Sequence, residues 1–416
     1  MTNEERPTRK DSRRTFLKAA GLTGTVGLTG LAGCLGGGDG GDGGDGGVEV
    51  GDGGGGDGDS TPTPTETSSG DGGSTETDAG TDSGEARDFG GETLNVMLNV
   101  GAIDTVHKQE LIPRVEEKYN LNINTETAVT TQQLTQIQAN PDNPPDVIIP
   151  DVIGIERANR EGWLEPLSDH TDIVTNLSDI YDKFVHYDST GASWEIGEVA
   201  PVINTSAWDS TPTSYEQVMT ESSATSLVPF SWSGGPYLLL MASAIATGED
   251  FSSPDLDVEA GFQYLEENLK PNVSNTYQGV ASAKQQLASG NVDTLNVFWD
   301  YMVFDMFQND APIDVVFRPD PVGIAFAEAV AVPKNTDKME AAMTYANECL
   351  SVEFQEAASA AMGCGVTNEN ATVNEQAEAF GAATPDTFDQ LAFPDFQYIW
   401  ENRSDWSQRW DEVFSG

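Results

Sequence analysis

Residues 35 to about 91 are almost wholly Gly, Asp, Ser, Thr and Pro, beginning LGGGDGGDGGDGG. No segment of the chain constrains its folding more. A stretch with no apolar surface to bury cannot offset the entropy lost on ordering. Whatever folds must therefore lie beyond it, from about Glu92 to the end. The stretch, taken with Cys34 as residues 34–91, reads as a flexible tether. About 57 residues of Gly-rich coil have ends roughly 40 Å apart, and more if the acids repel. Plain disordered filler is compatible with the same composition, and the Ser/Thr-Pro runs would accept sugars without requiring them.

The residues before the tether, SRRTFLKAAGLTGTVGLTGLAGC (12–34), raise the question of a membrane span. A span needs about 20 strongly apolar residues. This run is shorter, rich in Gly and Thr, and lies behind Arg13, Arg14 and Lys18, as an export signal does. Arg13 and Arg14 followed by Thr15-Phe16-Leu17-Lys18 closely resemble the twin-arginine export pattern, which is a receptor-read address and not an anchor. The closing LAGC resembles a lipoprotein box, with Cys34 as the lipid acceptor and new N-terminus. Residues 1–33 are thus expected to be a signal peptide read by the twin-arginine translocase. The mature chain would fold before export and be held by lipid at the extracellular face of the cytoplasmic membrane.

Charge narrows the setting. The chain has 20 basic and 68 acidic residues, a formal net charge of −48. Residues 92–416 alone hold 13 basic and 51 acidic residues, so the excess is not confined to the tether. Nucleic acid is excluded as a partner, because its binders need basic patches to neutralise phosphates. Two readings remain: attraction of cationic ligands, or a halophile's solvated surface in molar salt, where screening removes self-repulsion. With acids throughout and only seven lysines in 92–416, salt adaptation is favoured, and charge says little about substrate. Cys349 and Cys364 either pair outside the cell or stay as buried thiols. No C-x-x-C is present, and His107, His170 and His186 lie far apart without metal-ligand spacing, so neither metal nor cofactor is expected.

Beyond Glu92 the pattern alternates. ETLNVMLNV has strand character, and VHKQELIPRVEEKYN sets Leu111, Val115 and Tyr119 at helical spacing. LNINTETAV is a second strand, TTQQLTQIQA a helix ended by NPDNPPD, and VIIPD a short buried strand. IGIERANREGWLEPL gives a helix stopped at Gly162. PYLLLMASAIATG opens with Pro236 at a helix start and closes at Gly248. LNVFW and IDVVF are apolar strands, and KMEAAMTYANECLSVEFQEAASAAMG is one long amphipathic helix or a pair. The C-terminal segment places Phe396, Trp400, Trp410 and Val413 on one helical face, an aromatic stripe read as packing. This βαβα order predicts an α/β fold with parallel sheets, and about 325 residues exceed one typical core, so two lobes are expected.

PPDVIIPD followed by REGWLEPL, then INTSAWDSTPTSYEQVM, and above all the stretch from FWDYMVFDMFQND to TYANECLS, resemble the extracellular solute-binding proteins of ABC importers. The likeness covers essentially all of 92–416 and is strongest to the polyamine-binding group, with its relatives for ferric iron, thiamine and phosphonates. It implies a two-lobed periplasmic-binding-protein type II fold with an inter-lobe cleft and a hinge crossed more than once. One lobe would be about 92–203 with 326–367, the other about 204–325 with 368–416. It further implies capture of a small solute without chemistry, and delivery to the permease subunits.

Polyamine binders of that kind hold their ligand with aromatic rings and carboxylates, through cation–π attraction and charge-assisted hydrogen bonds. Trp299 matches the group's cleft tryptophan; Phe326 and Glu328 match its aromatic and its acid. Two residues apart on a strand, ring and carboxylate share a face. The departures are Asn99 and Ala102, where the group has aromatics, and the loop with Asp151 and Ile153, which lacks a tyrosine but adds an acid. Where the group's second lobe has an acidic anchor, this chain reads FSWSGGP. There Ser231, Ser233, Gly234 and Gly235 precede a helix start whose free N–H groups favour an anion, and Trp232 offers a stacking face. The ligand would then carry an anionic end or a ring, with Glu328 or Asp151 on any cationic end. Against these stand plainer roles: Trp299 and Phe326 as core, the acids as solvated surface, the SGG turn as a cap. The adjacent tyrosines of the iron-binding relatives are not seen.

A secreted hydrolase is the competing class, but no G-x-S-x-G, H-E-x-x-H, P-loop or dinucleotide fingerprint occurs. A surface-layer or adhesion module would show repeats or a sandwich, and the alternation argues against both.

Overall fold

The computed structural model describes residues 87–414; Arg13, Arg14, Cys34 and nearly all of the tether lie outside the described residues. The first strand, β1 (Glu92–Leu98), alternates exposed and buried positions and then turns wholly buried as it enters the core. Beside it runs β2 (Leu121–Thr127), parallel along its whole length, and on the other side β3 (Val147–Ile148), also parallel. The β1–β2 connection is a helix in three parts: Ala102–Val106, a π-helical turn His107–Leu111, and Ile112–Tyr119. It buries Leu111, Val115 and Tyr119, the positions that the spacing predicts. Helices Thr130–Ala139 and Val152–Arg160 follow β2 and β3. The second ends at Arg160, two residues before Gly162, whose φ of 74° a side chain would disfavour.

The chain continues through β4 (Leu164–Glu165), β5 (Val185–His186) and β6 (Gly191–Ser193) into β7 (Gly197–Asn204), every residue of which is buried. β7 is the spine of a second, seven-stranded sheet. Its partners follow as β8 (Thr225–Leu227), β9 (Val273–Thr276), β10 (Thr294–Trp299), β11 (Ile313–Val315) and β12 (Gly323–Phe326). The chain then returns through β13 (Ala329–Val330) and β14 (Val332–Pro333), and later adds β15 (Leu391–Ala392) to the edge. The strand order is β15-β12-β7-β10-β8-β9, with β11 also on β7.

The alternation predicts parallel sheets, and the first sheet is parallel. The second is mixed. β8 runs parallel to β9 and β10, and β12 to β15, but β7 is antiparallel to β10, β11 and β12. The reason is connectivity: β7 carries the chain into this sheet, and β12 carries it out alongside. Past β12, bridges Asp151↔Glu328 and Ile148↔Ala331 lay the returning strand beside the end of β3. β13 pairs with β6 and β14 with β4. Two adjacent crossings therefore join the α/β halves, the arrangement of a two-lobed solute-binding fold.

The long amphipathic segment is a helix pair, Met339–Cys349 and Val352–Met362, broken at Ser351, whose hydroxyl caps the second helix by accepting from Phe354 N at 3.3 Å. Cys349 and Cys364 are both buried and free. Helix Phe396–Phe414 closes the described chain and buries Phe396, Trp410 and Val413, but not Trp400. Among the described residues no helix is long and apolar enough to cross a membrane.

Candidate ligand cleft

At the C-terminal ends of β1, β3, β10 and β12 lies a cavity of about 300 Å³. Crevices beyond the carboxyl ends of strands are where open α/β sheets take ligands. Asp151, Ser231, Trp232, Ser233, Trp299, Phe326 and Glu328 all line it. These seven nominated residues are scattered over 178 positions of chain and come together in one place. Gly234 is buried and not among the lining residues; a Cβ there would meet Val228 Cγ2 at 3.1 Å and reach ordinary contact with the Trp299 ring at 3.4 Å. Asn99 and Ile153 also face the cavity.

The bridge Asp151↔Glu328 places two carboxyls on one wall. Glu328 is fully buried; Oε1 accepts from Asn99 Nδ2 at 2.8 Å, while Oε2 has no hydrogen-bond partner. Burial drives its carboxyl well above the ordinary range, with Asp151 and Glu195 adding repulsion. Asp151 also has a buried oxygen, Oδ1, without a partner. Burial pushes its carboxyl up to about 6, against the pull of Thr130 and of the Arg403 guanidinium. Behind the wall stand two more acids. Glu195 Oε1 accepts from the Glu328 amide at 2.6 Å, and Asp300 accepts from the amides of Tyr301 at 2.7 Å and Glu198 at 3.0 Å. Burial lifts Glu195 well above its usual range and Asp300 to about 7. Such a row of low-dielectric carboxyls disfavours ionisation unless a cation arrives.

Aromatic rings form the facing walls. Trp299 meets Phe326 edge-on at 6.1 Å and Trp232 at 5.7 Å, and Tyr301 stacks on Phe326 at 5.9 Å. The FSWSGGP turn is only partly free for an anion. The amides of Trp232 and Gly235 donate to Pro229 O at 3.0 Å and Trp232 O at 3.2 Å, and the helix starts at Gly234, two residues before Pro236.

Sequence reasoning missed Arg403, Trp400 and Tyr301. Arg403 lines the cavity, donates to the Ser231 carbonyl, and lies over the Trp400 ring at 5.6 Å. Both residues sit on a helix read as packing, yet they are three apart and share a face. The visible signal was an arginine in a region with few basic residues. The histidines are dispersed: His107 contacts Tyr345, His170 contacts Glu165, His186 contacts Ser193. Among the described residues no group of side chains is arranged to hold a metal ion.

Residues 110–385 match the family model described as bacterial extracellular solute-binding protein. No curated protein sequence matches the chain. Several solved structures share its fold. An ABC transporter protein from Clostridium perfringens is 20% identical, with 77% of this chain and 99% of that one covered and a TM-score of 0.64. An ABC transporter substrate-binding protein from Bradyrhizobium japonicum is 17% identical over 77% and 99%, with a TM-score of 0.63. The periplasmic binding protein AfuA from Actinobacillus pleuropneumoniae, with fructose-6-phosphate bound, is 17% identical over 78% and 99%, with a TM-score of 0.62. With a cleft between two α/β halves and a family match over most of its folded region, this chain belongs to the bacterial extracellular solute-binding proteins.

Proposed function

We propose that this chain is the membrane-held receptor of an ABC importer, capturing a small amine-bearing organic solute, polyamine-like in its cationic end, and delivering it to the permease. One observation carries the solute class: the fully buried Glu328 carboxyl, one oxygen unpartnered, faces a ring-lined cavity beside Asp151. An uncompensated carboxylate in that setting is costly. An ammonium relieves it through charge-assisted hydrogen bonds and through the rings. Trp299, Phe326, Trp232 and the Ser231–Ser233 turn complete the wall.

The two crossings near β7 and β12 support lobes of about 92–203 with 326–367 and 204–325 with 368–416, closing about that hinge. Export through the twin-arginine route, lipid on Cys34 and the tether of 34–91 fit a receptor held beside its permease at the outer membrane face. AfuA holds a sugar phosphate, so the fold alone leaves the solute open and the cleft's own residues must decide it.

The test is a thermal-shift screen of the purified chain in molar salt against putrescine, spermidine, thiamine, ferric citrate, amino acids and phosphonates. A ligand at about 100 times its Kd adds roughly 2.7 kcal/mol of stability. A shift with amines supports the reading. No shift with any amine-bearing compound, with the protein folded, rejects it.

A further inference from the structure

We infer that the solute is a zwitterion, an N–H-bearing ammonium at one end held by Glu328 and Asp151 and a carboxylate or similar oxyanion at the other held by Arg403. The inference rests on the solute-binding reading and narrows it. At the acidic end, Glu328 Oε2 and Asp151 Oδ1 are buried acceptors without a donor. Tryptophan and phenylalanine faces give a cation an electrostatic surface but no hydrogen bond along them. A quaternary ammonium would leave both oxygens unsatisfied; a primary or secondary one supplies the N–H groups.

For the oxyanion, Arg403 faces the same cavity, near enough to Asp151 for its charge to pull on that carboxyl. Its hydrogen bond goes to a neutral carbonyl, that of Ser231. Arg114, Arg160, Arg318 and Arg409 each lie within 4 Å of a carboxylate, whereas Arg157, like Arg403, lies over the Trp400 ring but does not line the cavity. A planar guanidinium with five donors, its carbon 5.6 Å from the centre of the Trp400 ring, is suited to bidentate capture of a carboxylate. It also repels the second ammonium of a diamine. Ser231 and Ser233 line the same cavity.

The experiment titrates the full chain calorimetrically with unbranched α,ω-amino acids from glycine to 6-aminohexanoate, each beside the monoamine and diamine of equal length. The best amino acid is also tested as its N,N,N-trimethyl form. One amino acid is expected to bind about tenfold or more tighter than either amine of its length, and the trimethyl form to lose about as much. Arg403→Gln should abolish the amino acid's advantage over the monoamine of equal length, the two being compared within the same variant. These wild-type comparisons need no variant to fold. A diamine that outbinds every amino acid overturns the inference and leaves the receptor reading standing. Silence from all amines and amino acids overturns both.

Discussion

Asp151 sits where solvent, solute and protein charge compete for one proton. With its carboxyl pushed up to about 6, it carries a proton in part of the population at mildly acidic pH. Arg403 and Thr130 favour the ionised form; burial opposes it, and its ionisation in turn raises Glu328 and Tyr237. A bound ammonium favours the ionised form further, so binding below that pKa must expel the proton. Because burial raises both Asp151 and Glu328, affinity for an amine is expected to fall as pH is lowered through about 6 and either carboxyl takes up its proton. Calorimetry in two buffers of different ionisation enthalpy would read the released proton directly. In Asp151→Asn the slope should lessen, the remainder belonging to Glu328; a slope unchanged in that variant removes Asp151 from the account.

At the scale of elements, the turn before helix Gly234–Thr247 is a tight joint beside the cleft. A Cβ on Gly235 would lie 2.6 Å from Phe230 Cα, a backbone atom that cannot step aside cheaply. Gly235→Ala is expected to cost about 1–3 kcal/mol in urea unfolding. It should weaken solute binding as well, because Trp232 and Ser233 ride on the same turn. Gly279→Ala is the control, with nothing within 4 Å of its Cβ and an effect expected within about 0.5 kcal/mol. Equal losses at both positions would refute the packing argument. Some elements near the cleft were legible in advance. β1, β3 and β10 announce themselves by apolar runs, and the helix stop at Gly162 by its glycine. The spine strand β7 was not legible, and Pro201 is the reason. A proline inside a run argues against a central strand. The structure accommodates it at an irregularity, where the β7–β10 register shifts between Leu295 and Phe298, opposite Val202 and Ala200. Arg403 stayed hidden for a different cause: helical spacing assigns a face, but not which part of that face meets a cavity formed by distant segments.

For the whole molecule, charge is the dominant condition. Residues 92–416 carry 51 acids against 13 bases, and several bases are committed to buried acids, as in Lys118–Glu348 at 2.8 Å and Lys338–Asp146 at 3.0 Å. The remaining acids repel over about 10 Å at 0.1 M salt but only about 3 Å at 1 M. The melting temperature without solute is therefore expected to rise steadily from 0.1 to about 1 M potassium chloride; a flat profile would mean that the acids are spaced widely enough not to matter. One feature of the terminal helix bears on the molecule as a carrier. Trp400 Nε1 donates to the Ile153 carbonyl at 2.9 Å, Arg157 lies over the Trp400 ring at 5.0 Å, and Arg160 reaches Glu401 at 3.5 Å. These fasteners tie helix 396–414 to helix 152–160 across the mouth of the cleft, and none of them involves a solute. On the receptor reading proposed above, contacts of this kind would let the two segments stay together with the cleft empty, independently of cargo. A transporter that reads only shape would then meet vacant carriers. On that reading, stronger fasteners would favour tight capture in scarcity at the cost of more false deliveries, and the Trp400 contacts would be the place where the two are balanced.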